Sequence, residues 1–217
     1  MKSDAKIHGH TIVLLGNFNP TIFQPAWFTN ENLLQKAEIE SATIDVIHAD
    51  IVAFSLPWLT LQVTRKRFMV ETLQMPYFEV IRDLVIGTFT LLRYTPINLM
   101  GINFLKHIGV ESLDEWHAVG HKLAPKDIWQ NLLLKPGMRS LSMQGMRDDA
   151  RKGYVLVRIE PSPKVPNGIY ITINEHYESP ETAMPTGSDE VMGVLKERWT
   201  ACYSNSERVI SSLMERL

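Results

Sequence analysis

Four short apolar-alternating stretches between residues 43 and 73, TIDVIH, IVAFSL, LTLQV and RFMVETL, constrain this chain most. Each is too short for a packed helix, is rich in β-branched or aromatic residues, and is separated from the next by turn residues such as Pro57-Trp58 and Arg65-Lys66. The pattern predicts an antiparallel meander. Strands of this kind bury one face and need a layer to cover it, so the helices of the chain must pack against the sheet.

The remaining sequence supplies those helices. Pro76 opens one that runs to about Leu92, with Phe78, Ile81, Val85 and Phe89 at helical spacing. A helix is also expected over residues 21–36, after the strand HTIVLL, although Pro25 falls inside it. Thr95-Pro96 stops the helix before a strand over residues 97–108. Ser112 and Glu115 form an S-x-x-E box that opens another helix, followed past Pro125 by a short one reaching about Leu133.

Three further strands follow. MRSLSMQGM and YVLVRIEP are joined by RDDARKG, and IYITINEHY is reached through SPKVPNG. Residues 179–187 read as a polar connection, and residues 188–217 as one long helix. A meander followed by a helix thus occurs twice, over residues 43–92 and 138–217, and the 217 residues read as a single α+β domain with antiparallel sheet.

The stretch Thr95-Pro96-Ile97-Asn98-Leu99-Met100-Gly101-Ile102-Asn103-Phe104, coming after a meander and a helix, resembles a sporadically distributed family of uncharacterised bacterial α+β proteins. The resemblance covers the middle third of the chain. It implies an α+β fold with a strand at this place and assigns no activity, so it brings no residue roles with it. Read physically, Pro96 ends the helix, Gly101 permits a bulge or a close approach, and Asn103 points away from the face that holds Ile102 and Phe104.

Charge narrows the partners. A net charge of −2 and a pI near 6.4 give no global attraction to nucleic acid or to an anionic membrane. One cysteine, Cys202, excludes a disulfide framework, and the expected compartment is the cytoplasm. The N-terminus MKSDAKIHGH has no apolar signal-peptide core, and no apolar run approaches the roughly 20 residues of a membrane span.

Three groups of residues carry chemistry. On the helix after Ser112, Asp114, His117 and His121 share one face, a spacing that suits one transition metal ion with open positions. The glutamate of H-E-x-x-H is missing, because Ala-Val-Gly lies between the histidines, so a hydrolytic base would have to come from elsewhere, such as Glu175, His176 or Glu178. Alternation divides that second cluster between two faces, with Glu175 opposite to His176 and Glu178.

The basic turn Arg65, Lys66 and Arg67 suits a phosphate backbone. Arg147, Arg151 and Lys152 would add to it if both hairpin loops lie at one end of the sheet, with Trp58 and Tyr154 as stacking partners. The last helix places Leu195, Trp199, Cys202, Ser206, Val209 and Leu213 at alternating steps of four and three. That seam fits packing on the chain's own sheet, or self-association through Leu195, Trp199, Val209 and Leu213.

Nucleophilic catalysis finds no support, since Cys202 lies within a helix and no serine sits in a nucleophile elbow. Gly16-Asn17-Phe18-Asn19-Pro20 has a single glycine and ends on proline, unlike a phosphate loop. The expectation from sequence is a non-catalytic bacterial or phage protein that binds a macromolecular partner and self-associates, without a cofactor. The second reading is a metal-dependent hydrolase on Asp114, His117 and His121, and the third a nucleic-acid binder on Arg65, Lys66 and Arg67.

Overall fold

The computed structural model describes residues 4–179 and 187–217. Among these residues nine strands form one antiparallel sheet: β1 (Asp4–Gly16), β2 (Thr43–His48), β3 (Ile51–Leu56), β4 (Leu59–Thr64), β5 (Arg67–Thr72), β6 (Ile97–Gly109), β7 (Leu141–Met146), β8 (Gly153–Pro161) and β9 (Gly168–Glu178). Their order across the sheet is β2-β3-β4-β5-β1-β6-β9-β8-β7. The helices are α1 (Pro25–Asn30), α2 (Lys36–Glu40), α3 (Phe78–Leu91), α4 (Leu113–Leu123) and α5 (Asp189–Arg216). The expected α+β class with antiparallel sheet and long last helix is present.

The order divides at the pairing of the two longest strands. β1 followed by α1 and α2, the meander β2 to β5 and then α3 makes one half; β6, α4, the meander β7 to β9 and α5 makes the other. Each meander returns to lie beside the long strand that began its half. The recurring unit thus starts one long strand before the meanders at residues 43 and 138, and β1 against β6 is the seam of the sheet.

The two apolar clusters line a single face. Ile12, Leu14, Phe54, Leu61, Phe68, Val70, Ile102 and Phe104 join Phe28, Ile81, Phe89, Leu195 and Trp199 from the helices in one apolar cluster. A second cluster joins Ile108, Ile159, Ile171 and Ile173 to Val119, Ile210 and Met214. All five helices contribute to these clusters, so among the described residues the helices occupy one side of the sheet.

Three local differences from the sequence reading have physical causes. The helix expected over residues 21–36 is broken into a 3-10 turn at Pro20–Ile22, α1, and then α2, because Pro25 serves as a first helical residue and Asn32 takes a left-handed φ of 56°. The short helix expected after Pro125 is only a 3-10 turn at Asp127–Trp129. The apolar stripe of α4, expected from the spacing at Leu113, Trp116, Gly120 and Leu123, is Trp116, Val119 and Leu123, while Leu113 is exposed.

The seam read on α5 drifts in the same way. Leu195, Trp199, Cys202 and Ser206 are buried as the spacing requires, but the stripe then continues through Ile210 and Met214, leaving Val209 and Leu213 half-buried beside it. A straight helix at 3.6 residues per turn departs from a 3.5-residue repeat, and a sheet gives it no reason to supercoil. The expected connection over residues 179–187 falls, between its ends, on residues 180–186, which lie outside the described ones.

Candidate binding surface

The side of the sheet opposite the helices holds the residues that alternate with the core. Along β9, Ile171, Ile173, Glu175 and Tyr177 are buried towards α5, whereas Tyr170, Thr172, Asn174, His176 and Glu178 lie half-buried on the other side. The registers join these opposite-face residues across every strand. Thr43 pairs with Ser55, Ser55 with Thr60, Thr60 with Glu71, and Glu71 with Thr11. Thr11 pairs with Asn103, Asn103 with Asn174, Asn174 with Leu156, and Leu156 with Gln144.

The result is one line of directly opposed residues across nine strands, polar at every position but Leu156. At its centre Asn174 Nδ2 donates to Asn103 Oδ1 at 2.5 Å, and Asn103 Nδ2 donates to the carbonyl oxygens of Thr11 (3.2 Å) and Gly101 (3.3 Å). Gly101 holds the pair in place, since a Cβ there would stand 2.8 Å from Asn174 Nδ2. The close approach expected at Gly101 and the outward Asn103 are both present.

Aromatic stacks flank the line. Tyr154 lies on His176 at 4.4 Å and His107 on Tyr170 at 4.6 Å, each a cross-strand pair. Burial lowers the pKa of both histidines, so each ring is held neutral at physiological pH. Charges on this face are mixed, with Glu71, Glu160 and Glu178 against Arg67 and Arg158.

The residues read as chemical groups from the sequence lie elsewhere. Asp114, His117 and His121 are exposed on α4; His117 sits edge-on to Trp116 at 5.1 Å and borders a cavity of about 130 Å³ with Met138 and Ile169. Among the described residues no three His, Cys, Asp or Glu side chains are gathered as metal ligands. Glu175 is buried on the helix side, and His176 and Glu178 are on the opposite face, as alternation requires.

Arg65 in the β4–β5 turn pairs with Asp50, Lys66 is exposed, and Arg67 donates to Gln62 at 3.3 Å. The β7–β8 loop lies at the same end of the sheet, because β5 and β8 both begin there. Four strand spacings, about 19 Å, separate the two tips. Arg151 pairs with Glu197, and Lys152 with Glu178, both at 2.7 to 2.9 Å. Trp58 is at the other end, buried and stacked on Tyr77.

A buried polar cluster escaped the sequence reading. Arg147 reaches under α5, where Nη1 donates to Glu175 (2.9 Å), Nε and Nη2 clasp Asp149 (3.0 and 3.1 Å), and the guanidinium lies 3.6 Å over the Tyr177 ring. Asn205 donates to the other Glu175 oxygen at 2.7 Å. Arg198 Nε is 3.1 Å from Asp149 Oδ2, near enough for ion pairing without the alignment of a hydrogen bond. Burial, with the Glu175 carboxylate nearby, pushes the Cys202 thiol up to about 11, which keeps it protonated and unreactive.

Leu195 and Trp199 are spent on the chain's own core, and Val209 and Leu213 border it. No helix among the described residues is long and apolar enough to cross a membrane. No protein-family model matches the chain, and no curated protein matches it.

Proposed function

We propose that this is a non-catalytic, cytoplasmic binding protein that receives a polypeptide partner on the helix-free face of its sheet. The carrying observation is the line of Thr, Ser, Glu, Asn and Gln that runs from β2 to β7, interrupted only by Leu156 on β8, on a surface that no helix among the described residues covers. Buried sheet faces are apolar, and a merely solvated face has no need of neutral amides and hydroxyls in one register. Such groups offer both donors and acceptors, and Met69, Val13 and Tyr154 beside them offer apolar area.

The balanced charges favour protein over nucleic acid, which needs cations along a track. Support for a non-catalytic role comes from the polar groups of the interior. Arg147, Glu175 and Asn205 are committed to one another, and the one thiol is held protonated.

A photo-crosslinking side chain placed at Thr172, on the open face, tests the reading in the native cell, with Lys196 on the outer side of α5 as the control position. The expected result is an adduct with one protein at Thr172, absent at Lys196 and lost when Thr60→Arg is added on the same face. Equal labelling at both positions, or no adduct at Thr172, would refute it.

A further inference from the structure

The two edges of the sheet are built differently. β2 carries a register shift between Ile44 and Val46 with Asp45 at that point, a bulge and a charge that both oppose the addition of another strand. β7, Leu141–Met146, has no charge, no proline and no irregularity in its pairing with β8. Five of its six residues are exposed, Met146 at 94%. Ahead of it, Ile128, Leu132, Leu133 and Leu134 are exposed as well, and Leu133 shares a cavity with residues 136–140, which lead into the strand.

We infer that β7 is a self-association site, where a second copy of the chain adds its own β7 antiparallel to form a two-fold dimer with one continuous sheet. Opposed residues of antiparallel strands must share a face, so the two-fold axis passes midway between a residue and its own copy, with no one-residue offset. An axis at Gln144 sets Gln144 against itself, Ser142 against Met146, and Met143 against Gly145 of the second copy. Space around Gly145 is open, with nothing within 4 Å of where a Cβ would be, so the Met143 side chain has room over it.

Space selects this register: the axis at Gln144 seats Met143 over the open Gly145, whereas an axis at Met143 would set the two Met143 side chains against each other. The charges that follow the strand do not decide it, since Arg147, Asp148 and Asp149 are paired within their own chain. Because the axis is perpendicular to the sheet, the two helix-free faces of the dimer lie on the same side. The inference stands independently of what those faces bind.

Sedimentation of the full chain, alone and as Gln144→Lys, gives the first arm, since the lysine sets like charges directly opposite each other at the axis. The second arm is oxidation of Gln144→Cys beside Ile47→Cys on β2; the native Cys202 is buried and protonated. We expect a wild-type dimer, association weakened by at least about tenfold in Gln144→Lys with an unchanged circular dichroism spectrum, and a disulfide-linked dimer from Gln144→Cys alone. A wild-type chain that stays monomeric, a dimer indifferent to Gln144→Lys, or cross-linking through Ile47→Cys instead would overturn the inference.

Discussion

His10 shows how much one side chain can be made to depend on its surroundings. It is fully buried beneath α5, with Nδ1 donating to the Asn103 carbonyl at 2.9 Å, Nε2 accepting from Trp199 Nε1 at 2.9 Å, and the ring stacked on Phe104 at 4.3 Å. Both nitrogens are used in the neutral form, and burial, reinforced by Arg82, lowers its pKa to about 4. An unfolded chain takes up this proton near pH 6.5, the folded chain only near 4. The stabilisation is therefore complete above pH 6.5 and is lost as the pH falls towards 4, by about 3 kcal/mol. Urea unfolding at pH 7 and pH 4.5 should show that loss in the wild type and a smaller one in His10→Gln. Nothing in HGHTIVLL distinguishes His10 from His8, since the indole that satisfies it is 189 residues away. Glu175 left a clearer trace: it alternates with Ile171 and Ile173 on the core face, and a carboxylate there requires a partner. The identity of that partner, Arg147, was not legible, because RDDARKG reads as an ordinary charged loop.

Among the elements, those set by local pattern were readable and those set by distant packing were not. The four strands of the first meander fall within a residue or two of their apolar alternation, and Ser112 caps α4 by accepting from Glu115 N at 3.1 Å. The reciprocal half of that box is absent; the Glu115 carboxylate accepts from Glu111 N instead. α5 lies between these cases, its existence plain and its use undecided until Leu195, Trp199 and Cys202 were placed against β6 and β9. Without α5 the core face of the second half keeps only α4 over it. A chain ending at Gly187 should lose cooperative urea unfolding and near-ultraviolet dichroism, whereas a helix used only for assembly would leave a folded monomer. The line of polar residues on the open face was out of reach for a different reason: its members are separated by up to 163 positions, and only the registers of eight strand pairs bring them into line.

The whole molecule depends on the seam between β1 and β6, whose pairing runs from Asp4 with Gly109 to Gly16 with Ile97. Each half has its own meander and long helix, but the halves share the first apolar cluster, and α3 packs against α5. Expressed apart, residues 1–95 and 96–217 should each be insoluble, and expressed together they should yield a soluble one-to-one complex; independent folding of either half would show that the seam is dispensable. The blocks read over residues 43–92 and 138–217 each hold a meander followed by a helix, and the long strands β1 and β6 precede them. β1 and β6 carry little of the apolar spacing that marks a repeat, since β6 is buried on both sides over much of its length.

The bulge at Asp45 limits how large such a sheet can become. Two chains that meet at β7 leave only β2 at either end, and an edge that rejects a strand rejects the third chain as firmly as it does any stray one. The same sequence with a regular β2 would have two receptive edges and no geometric reason to stop, so it would be expected to grow into a ribbon. One inserted residue thus separates a particle of fixed size from a fibre.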